Sequence, residues 1–160
     1  MRQYHYFLIF LAFLPIASCD PDKVYEENKE IPESIWNINY PVIFELEITD
    51  TVSLHNVYIN VRNTGMYKFS NLCLFINTTL PDGTTQKDRA ECFLADKKGK
   101  WLGSGLGDIW DNRILFSKGV KFPQKGEYKF VFEQAQRYGE KAYIENLPFI
   151  MDVGLRIERQ

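Results

Sequence analysis

Between residues 44 and 61 apolar and polar side chains alternate. Phe44, Leu46 and Ile48 interleave with Glu45 and Glu47, and Val57, Ile59 and Val61 with Tyr58, Asn60 and Arg62. A period of two places the two sets on opposite sides of an extended chain, so both runs predict half-buried strands. Further strands are predicted in NLCLFINTTL, QKDRAECFLA, RILFS, KGVKF, EYKFVFEQA and DVGLRIER, with glycine or proline at the breaks. Helical periodicity is confined to short stretches near Gln134–Tyr138 and Tyr143–Leu147. About eight strands joined by short turns predict an antiparallel β-sandwich over residues 42–160. Tyr128, two residues after Gly126 at a strand start, resembles the tyrosine corner of some sandwiches.

The clearest hairpin surrounds Pro81-Asp82-Gly83-Thr84, where Asp-Gly suits a two-residue type I′ turn. That turn sets Cys73 opposite Cys92 in a hydrogen-bonded pair, with Cα atoms ~5.5 Å apart. Cross-strand disulfides favour the closer, non-hydrogen-bonded sites. Two thiols packed as small apolar groups are therefore preferred over a Cys73–Cys92 bridge.

The N-terminus departs from this pattern. Arg2 precedes an apolar run from Phe7 to Ile16, too short to span a bilayer and of the length of a secretory signal core. Residues 1–18 are predicted to be a signal peptide. Ile16-Ala17-Ser18-Cys19 resembles a bacterial lipobox, which makes Cys19 the acylated N-terminus of the mature chain, held by more than one acyl chain. Residues 19–41, polar and broken by Pro21, Pro32 and Pro41, are predicted to form an extended tether.

Composition narrows the chemistry. The chain has 160 residues, 45% hydrophobic and 25% charged, with net charge −2 and no block of like charge. That argues for a folded domain and against nucleic acid as a partner. Two histidines occur, and His5 lies in the signal, leaving His55. One imidazole makes a Ser/His/Asp triad improbable and forbids a two-histidine metal site. Glu45, Glu47, Asp88, Glu91 and Glu133 fall mostly on wet strand faces, a poor arrangement for paired-carboxylate catalysis.

KKGKWLGSGLGDIWDN carries glycines at 99, 103, 105 and 107, but a strand follows it in place of the helix a nucleotide loop requires. Asp108, Asp111 and Asn112 lack calcium-loop spacing and suit solvated turns. Trp101 and Trp110 are candidates either to plug a sandwich end or to anchor a partner. No cofactor, nucleotide or metal is implied.

The strings SNLCLFINTTLPDG, DKKGKWLGSGLGD, FPQKGEYKFVFEQAQRYG and DVGLRIE, in this order behind a lipobox, closely resemble the gliding motility lipoprotein family GldH. The resemblance implies a noncatalytic, lipid-anchored envelope protein that supports motility and the assembly of motility adhesins at the outer membrane. It points to Cys19, Trp101-Leu102-Gly103, Gly105, Gly107-Asp108, Gln134 and Arg137-Tyr138-Gly139. The resulting expectation is a periplasm-facing outer-membrane scaffold whose partners are other gliding-motility envelope proteins. It would act through Trp101, Trp110, Asp108, Arg137 and Tyr138. The alternatives are a module binding peptidoglycan or polysaccharide and, less favoured, an enzyme of unknown chemistry.

Overall fold

The computed structural model describes residues 20–140 and 142–160, so the expected signal peptide and Cys19 lie outside the described residues. The described chain is all-β, with eleven strands, three of them only three residues long. β1 (Lys23–Glu30), β4 (His55–Thr64), β7 (Ser104–Leu106), β8 (Ile109–Val120) and β11 (Ile150–Arg159) form a five-stranded sheet in the order β1-β11-β4-β8-β7. β3 (Val42–Ile48), β5 (Asn71–Thr79), β6 (Thr85–Phe93) and β9 (Gly126–Gln134) form a second sheet in the order β3-β9-β5-β6. β2 (Ile35–Asn37) and β10 (Asn146–Pro148) make a small ribbon, and every pairing is antiparallel.

The alternation seen in the sequence builds the core. In β4 the buried positions are His55, Val57, Ile59, Val61 and Asn63, and in β3 they are Val42, Phe44, Leu46 and Ile48. The apolar members of both sets join Leu72, Leu74 and Ile76 of β5, Phe130 and Phe132 of β9, and Val153, Leu155 and Ile157 of β11 in one hydrophobic cluster. Trp36 of β2 is fully buried and donates its indole N–H to the Tyr40 carbonyl at 2.8 Å. Tyr128 makes the expected corner, its hydroxyl donating to the Gln124 carbonyl at 3.0 Å.

Four expectations are corrected. The extended tether expected over residues 19–41 is, in its described part, docked on the domain: Lys23–Glu30 is edge strand β1, paired along β11, and Pro32–Ser34 form a single 3-10 turn. No α-helix replaces the short helical stretches; residues 134–138 finish β9 and leave it as a loop, and 146–148 are β10. RILFS and KGV are one strand, β8, kinked by bulges opposite Val57.

The fourth correction is the β5–β6 register. The turn has three loop residues, Pro81, Asp82 and Gly83, with Gly83 left-handed at φ 84° and the Thr84 N–H bonded to Asp82 at 2.8 Å. One extra loop residue moves the partners by one and inverts which faces meet. Leu72 now opposes Cys92 on the core face, and Cys73 opposes Glu91 on the other face. Both thiols are buried and free, so the Cys73–Cys92 bridge is not formed.

The ends of the sandwich differ. At one end lie Asp20, the 49–54 loop, the Pro81–Gly83 turn and Gln160, tied by Gln160 N–H to the Leu54 carbonyl (2.8 Å) and Arg159 N–H to the Asp22 carbonyl (2.7 Å). The opposite end carries the chain leaving β4, β6 and β9, together with the β7–β8 hairpin and the β2–β10 ribbon.

Candidate functional site

The glycine-rich segment is a hairpin. β7 meets the start of β8 across the two-residue turn Gly107-Asp108, with Leu106 opposite Ile109 and Gly107 at φ 67°. Gly105 lies opposite Trp110, and a Cβ there would stand 2.6 Å from the indole ring, so only glycine lets Trp110 lie across the neighbouring strand. Trp101, paired with Ala95, stacks on Trp110 with centroids 6.4 Å apart and planes 29° apart. Both tryptophans are half-buried, Trp101 packing against the core. Neither tryptophan is a fully buried plug: each keeps part of its surface exposed, while Trp101 packs on the core.

Asp108 does not face solvent alone. Its carbonyl accepts the Gly65 N–H at 2.9 Å, and its carboxylate occupies the space that a side chain at 65 would need. The chain then continues from Gly65 to Phe69, where Tyr67 and Phe69 meet edge to face at 5.5 Å. Phe69 in turn meets Tyr138 at 5.8 Å. The 65–69 loop therefore joins the tryptophan pair to the Arg137-Tyr138 segment, and all five expected interaction residues occupy one end of the sandwich. Arg137 and Tyr138 are exposed.

Beside them opens a cleft of about 1090 Å³ lined by Tyr67, Lys68, Phe69, Tyr138, Tyr143 and Leu147. Burial holds the Tyr67 hydroxyl above the ordinary phenol range, so it stays a neutral donor, bonded to the Asn71 carbonyl at 3.0 Å. Apolar exposure concentrates at this end: Leu106 is 91% exposed, Tyr138 68%, Met66 64% and Leu102 59%, with Ile35, Tyr40, Phe93, Ile109 and Tyr143 nearby. Met66, Phe69 and Tyr143 were not singled out in the sequence. Their only local signal was that they stood outside any alternating run.

The expected carboxylates do not converge. Glu45 pairs with Lys129 at 3.3 Å and Glu133 with Lys87 at 3.7 Å, exposed pairs of the kind worth ~0–1 kcal/mol. His55 is fully buried against Phe122, ring to ring at 5.3 Å, with neither nitrogen hydrogen-bonded.

The outer face of the five-stranded sheet carries a second, polar feature. Arg156, 3% exposed, binds Glu26 and Glu158 at 2.5 Å each and also Asp20. Burial lowers the tendency of this guanidinium to hold its charge, but the bonds to Asp20, Glu158 and Glu26 outweigh it and raise its pKa. Arg62 bridges Asp111 at 2.6 Å and Asp152 at 3.3 Å on the same face.

The model of the GldH lipoprotein family matches residues 23–157. The chain is 35% identical to the gliding motility lipoprotein GldH homolog of Christiangramia forsetii over 154 residues, covering 96% of this chain and 94% of that one. It is 34% identical to gliding motility lipoprotein GldH of Flavobacterium johnsoniae over 154 residues, covering 96% and 95%. Among solved structures, that of the infectious bursal disease virus Gx strain aligns with a TM-score of 0.34 and 14% identity, over 86% of this chain and 30% of the viral one. At that score the likeness carries no argument.

Proposed function

This chain belongs to the GldH lipoprotein family, and we propose that it serves gliding motility as a noncatalytic adapter, acylated at Cys19 in the outer membrane and contacting other envelope proteins through its distal end. The observation that carries this reading is the clustering of exposed apolar side chains around Trp101, Trp110 and Tyr138, at the end opposite Asp20. Solvated proteins seldom gather so many in one place unless something covers them. An acyl anchor confines the domain to two dimensions, which raises its effective concentration beside co-anchored partners and lets modest contacts suffice. The reading also takes the burial of His55 and the scattered carboxylates as marks of a body that acts by position and contact.

The test is site-specific crosslinking in gliding cells from position 106, compared with position 52 at the other end. Crosslinks confined to position 106, and abolished by Trp110→Ala at unchanged abundance, are the expected result. Truncating a buried aromatic anchor costs ~2 kcal/mol or more, about thirtyfold in affinity. Equal crosslinking from both ends, or normal gliding by an abundant Leu106→Asp, Trp110→Ala double variant, overturns the reading.

A second reading has one observation behind it. Phe69, Tyr138 and Tyr143 flank a cleft with polar Lys68, Glu145 and Asn146, a mixture suited to stacking and bonding a sugar ring. Retention of the protein on peptidoglycan or envelope polysaccharide, lost in Tyr138→Ala, would favour it over the adapter.

A further inference from the structure

We infer that the end of the sandwich formed by Asp20, Val24, the 50–54 loop and Gln160 lies flat on a phospholipid surface, held there by the ion pair between Arg156 and Asp20. This rests on the reading of Cys19 as the acylated residue. Asp20 follows Cys19 directly, so their Cα atoms are ~3.8 Å apart. A flexible linker of the length expected from the sequence would let the domain wander ~25 Å from its anchor. The structure leaves no such linker. The Asp20 carboxylate is bound by Arg156, whose side chain is 4% exposed and is itself fixed by Glu26 and Glu158. The Asp20 carbonyl accepts the Lys23 N–H at 3.3 Å, and the Asp22 carbonyl accepts that of Arg159 at 2.7 Å. Folded structure therefore begins one residue after the anchor.

The surface brought to the headgroups has matching chemistry. Val52 is 78% exposed, and it is presented by a turn in which Asp50 accepts the Val52 and Ser53 N–H groups at 2.9 and 3.0 Å. A bond from the Ser53 hydroxyl, followed by those two backbone bonds, holds the Asp50 carboxyl below its ordinary range, so the turn keeps its charge. Arg159 ties this turn to the chain start, its Nε 3.6 Å from Asp50. Leu54 (42%) and Val24 (40%) add exposed apolar area, and Lys23, Lys121 and Lys125 stand exposed around it. Short apolar tips flanked by both lysines and the exposed Asp22 and Asp82 suit the mixed-charge headgroup layer of a bilayer interface. The distal aromatic end then stands off the membrane by about the length of β4, roughly 30 Å.

The test uses the acylated full chain in vesicles of phosphatidylethanolamine and phosphatidylglycerol carrying a headgroup nitroxide quencher. The native tryptophans, Trp36, Trp101 and Trp110, are all at the distal end and act as internal controls. Val52→Trp should add fluorescence quenched several-fold more strongly than the native signal. Adding Asp20→Ala should leave the protein co-floating and cooperatively folded, melting somewhat lower at neutral pH, but bring that extra quenching down to the native level. Co-flotation with no extra quenching in Val52→Trp overturns the proposal and leaves the anchor reading standing. Quenching unchanged by Asp20→Ala overturns the role of the ion pair. Wild-type protein that fails to float, as Cys19→Ser should, sinks the anchor reading and this inference with it.

Discussion

Replacing Arg156 by methionine tests the electrostatic framework most directly. Methionine keeps the apolar length of the arginine stem and deletes only the charge and its donors. In the structure the guanidinium reaches Glu26 through Nη1 and Glu158 through Nε, both at 2.5 Å, and the two carboxylates are themselves only 21% and 19% exposed. Arg113 stands 3.5 and 3.6 Å from the same two acids but is half-exposed, so it can screen them only weakly. Removing one partner of a buried ion pair costs ~3–5 kcal/mol because the other charge is left without compensation. For a domain of this size each kcal/mol moves the melting temperature by ~3 °C, so the variant should melt ~10–15 °C lower near pH ~7. The bond from Arg156 is the largest influence holding the Asp20 carboxyl below its usual range, ahead of the opposing desolvation. A depressed carboxyl contributes stability that is present above its unfolded value, ~3.9, and is lost as pH falls toward the folded value. Methionine removes that contribution, so the gap between wild type and variant should be widest near neutrality and narrow below pH ~4. Calorimetric melts of both proteins across this range decide the matter. A deficit under ~1 kcal/mol at neutral pH, or one that does not shrink in acid, refutes the reasoning.

The other predictions concern groups the fold has enclosed. His55→Phe keeps the edge contact with Phe122 and removes two buried nitrogens that have no partner, so its urea midpoint should equal or exceed that of wild type. A loss above ~1 kcal/mol would mean that the imidazole has a bond this structure does not show. The Cys92 thiol is pushed up to about 12, mainly by burial and next by neighbouring Cys73, so it should resist iodoacetamide in the native protein and react fully once unfolded. Non-reducing mass measurement should find Cys73 and Cys92 both as free thiols, and a bridged peptide would contradict the observed register.

Much of the distal site was legible residue by residue, because tryptophans and glycines in KWLGSGLGDIW are unusual in any context. What the residues could not reveal was their meeting. Trp101 and Trp110 stack because Gly105 leaves room beside the indole, and Tyr138 joins them only through Phe69 on a loop that follows β4. The tryptophans are near neighbours along the chain, but the Phe69–Tyr138 contact links residues more than sixty positions apart.

The sequence by itself determined which strand faces are apolar, since alternation is a local property: Phe44-Leu46-Ile48 and Val57-Ile59-Val61 turn inward wherever those strands are placed. It also marked the turns. Pairing was decided by the tertiary structure. KVYEENKE has no strand-like pattern of its own, yet it becomes β1 because β11 offers an open edge and Arg156 offers Glu26 a countercharge. The β5–β6 register turned on whether Pro81 joined Asp82 and Gly83 in the loop, a choice between near-equal local geometries that the burial of Leu72 and Cys92 against the opposite sheet resolves. Local patterns fix what each segment prefers to bury, while partners, registers and edges depend on free energies that exist only when distant segments are in contact.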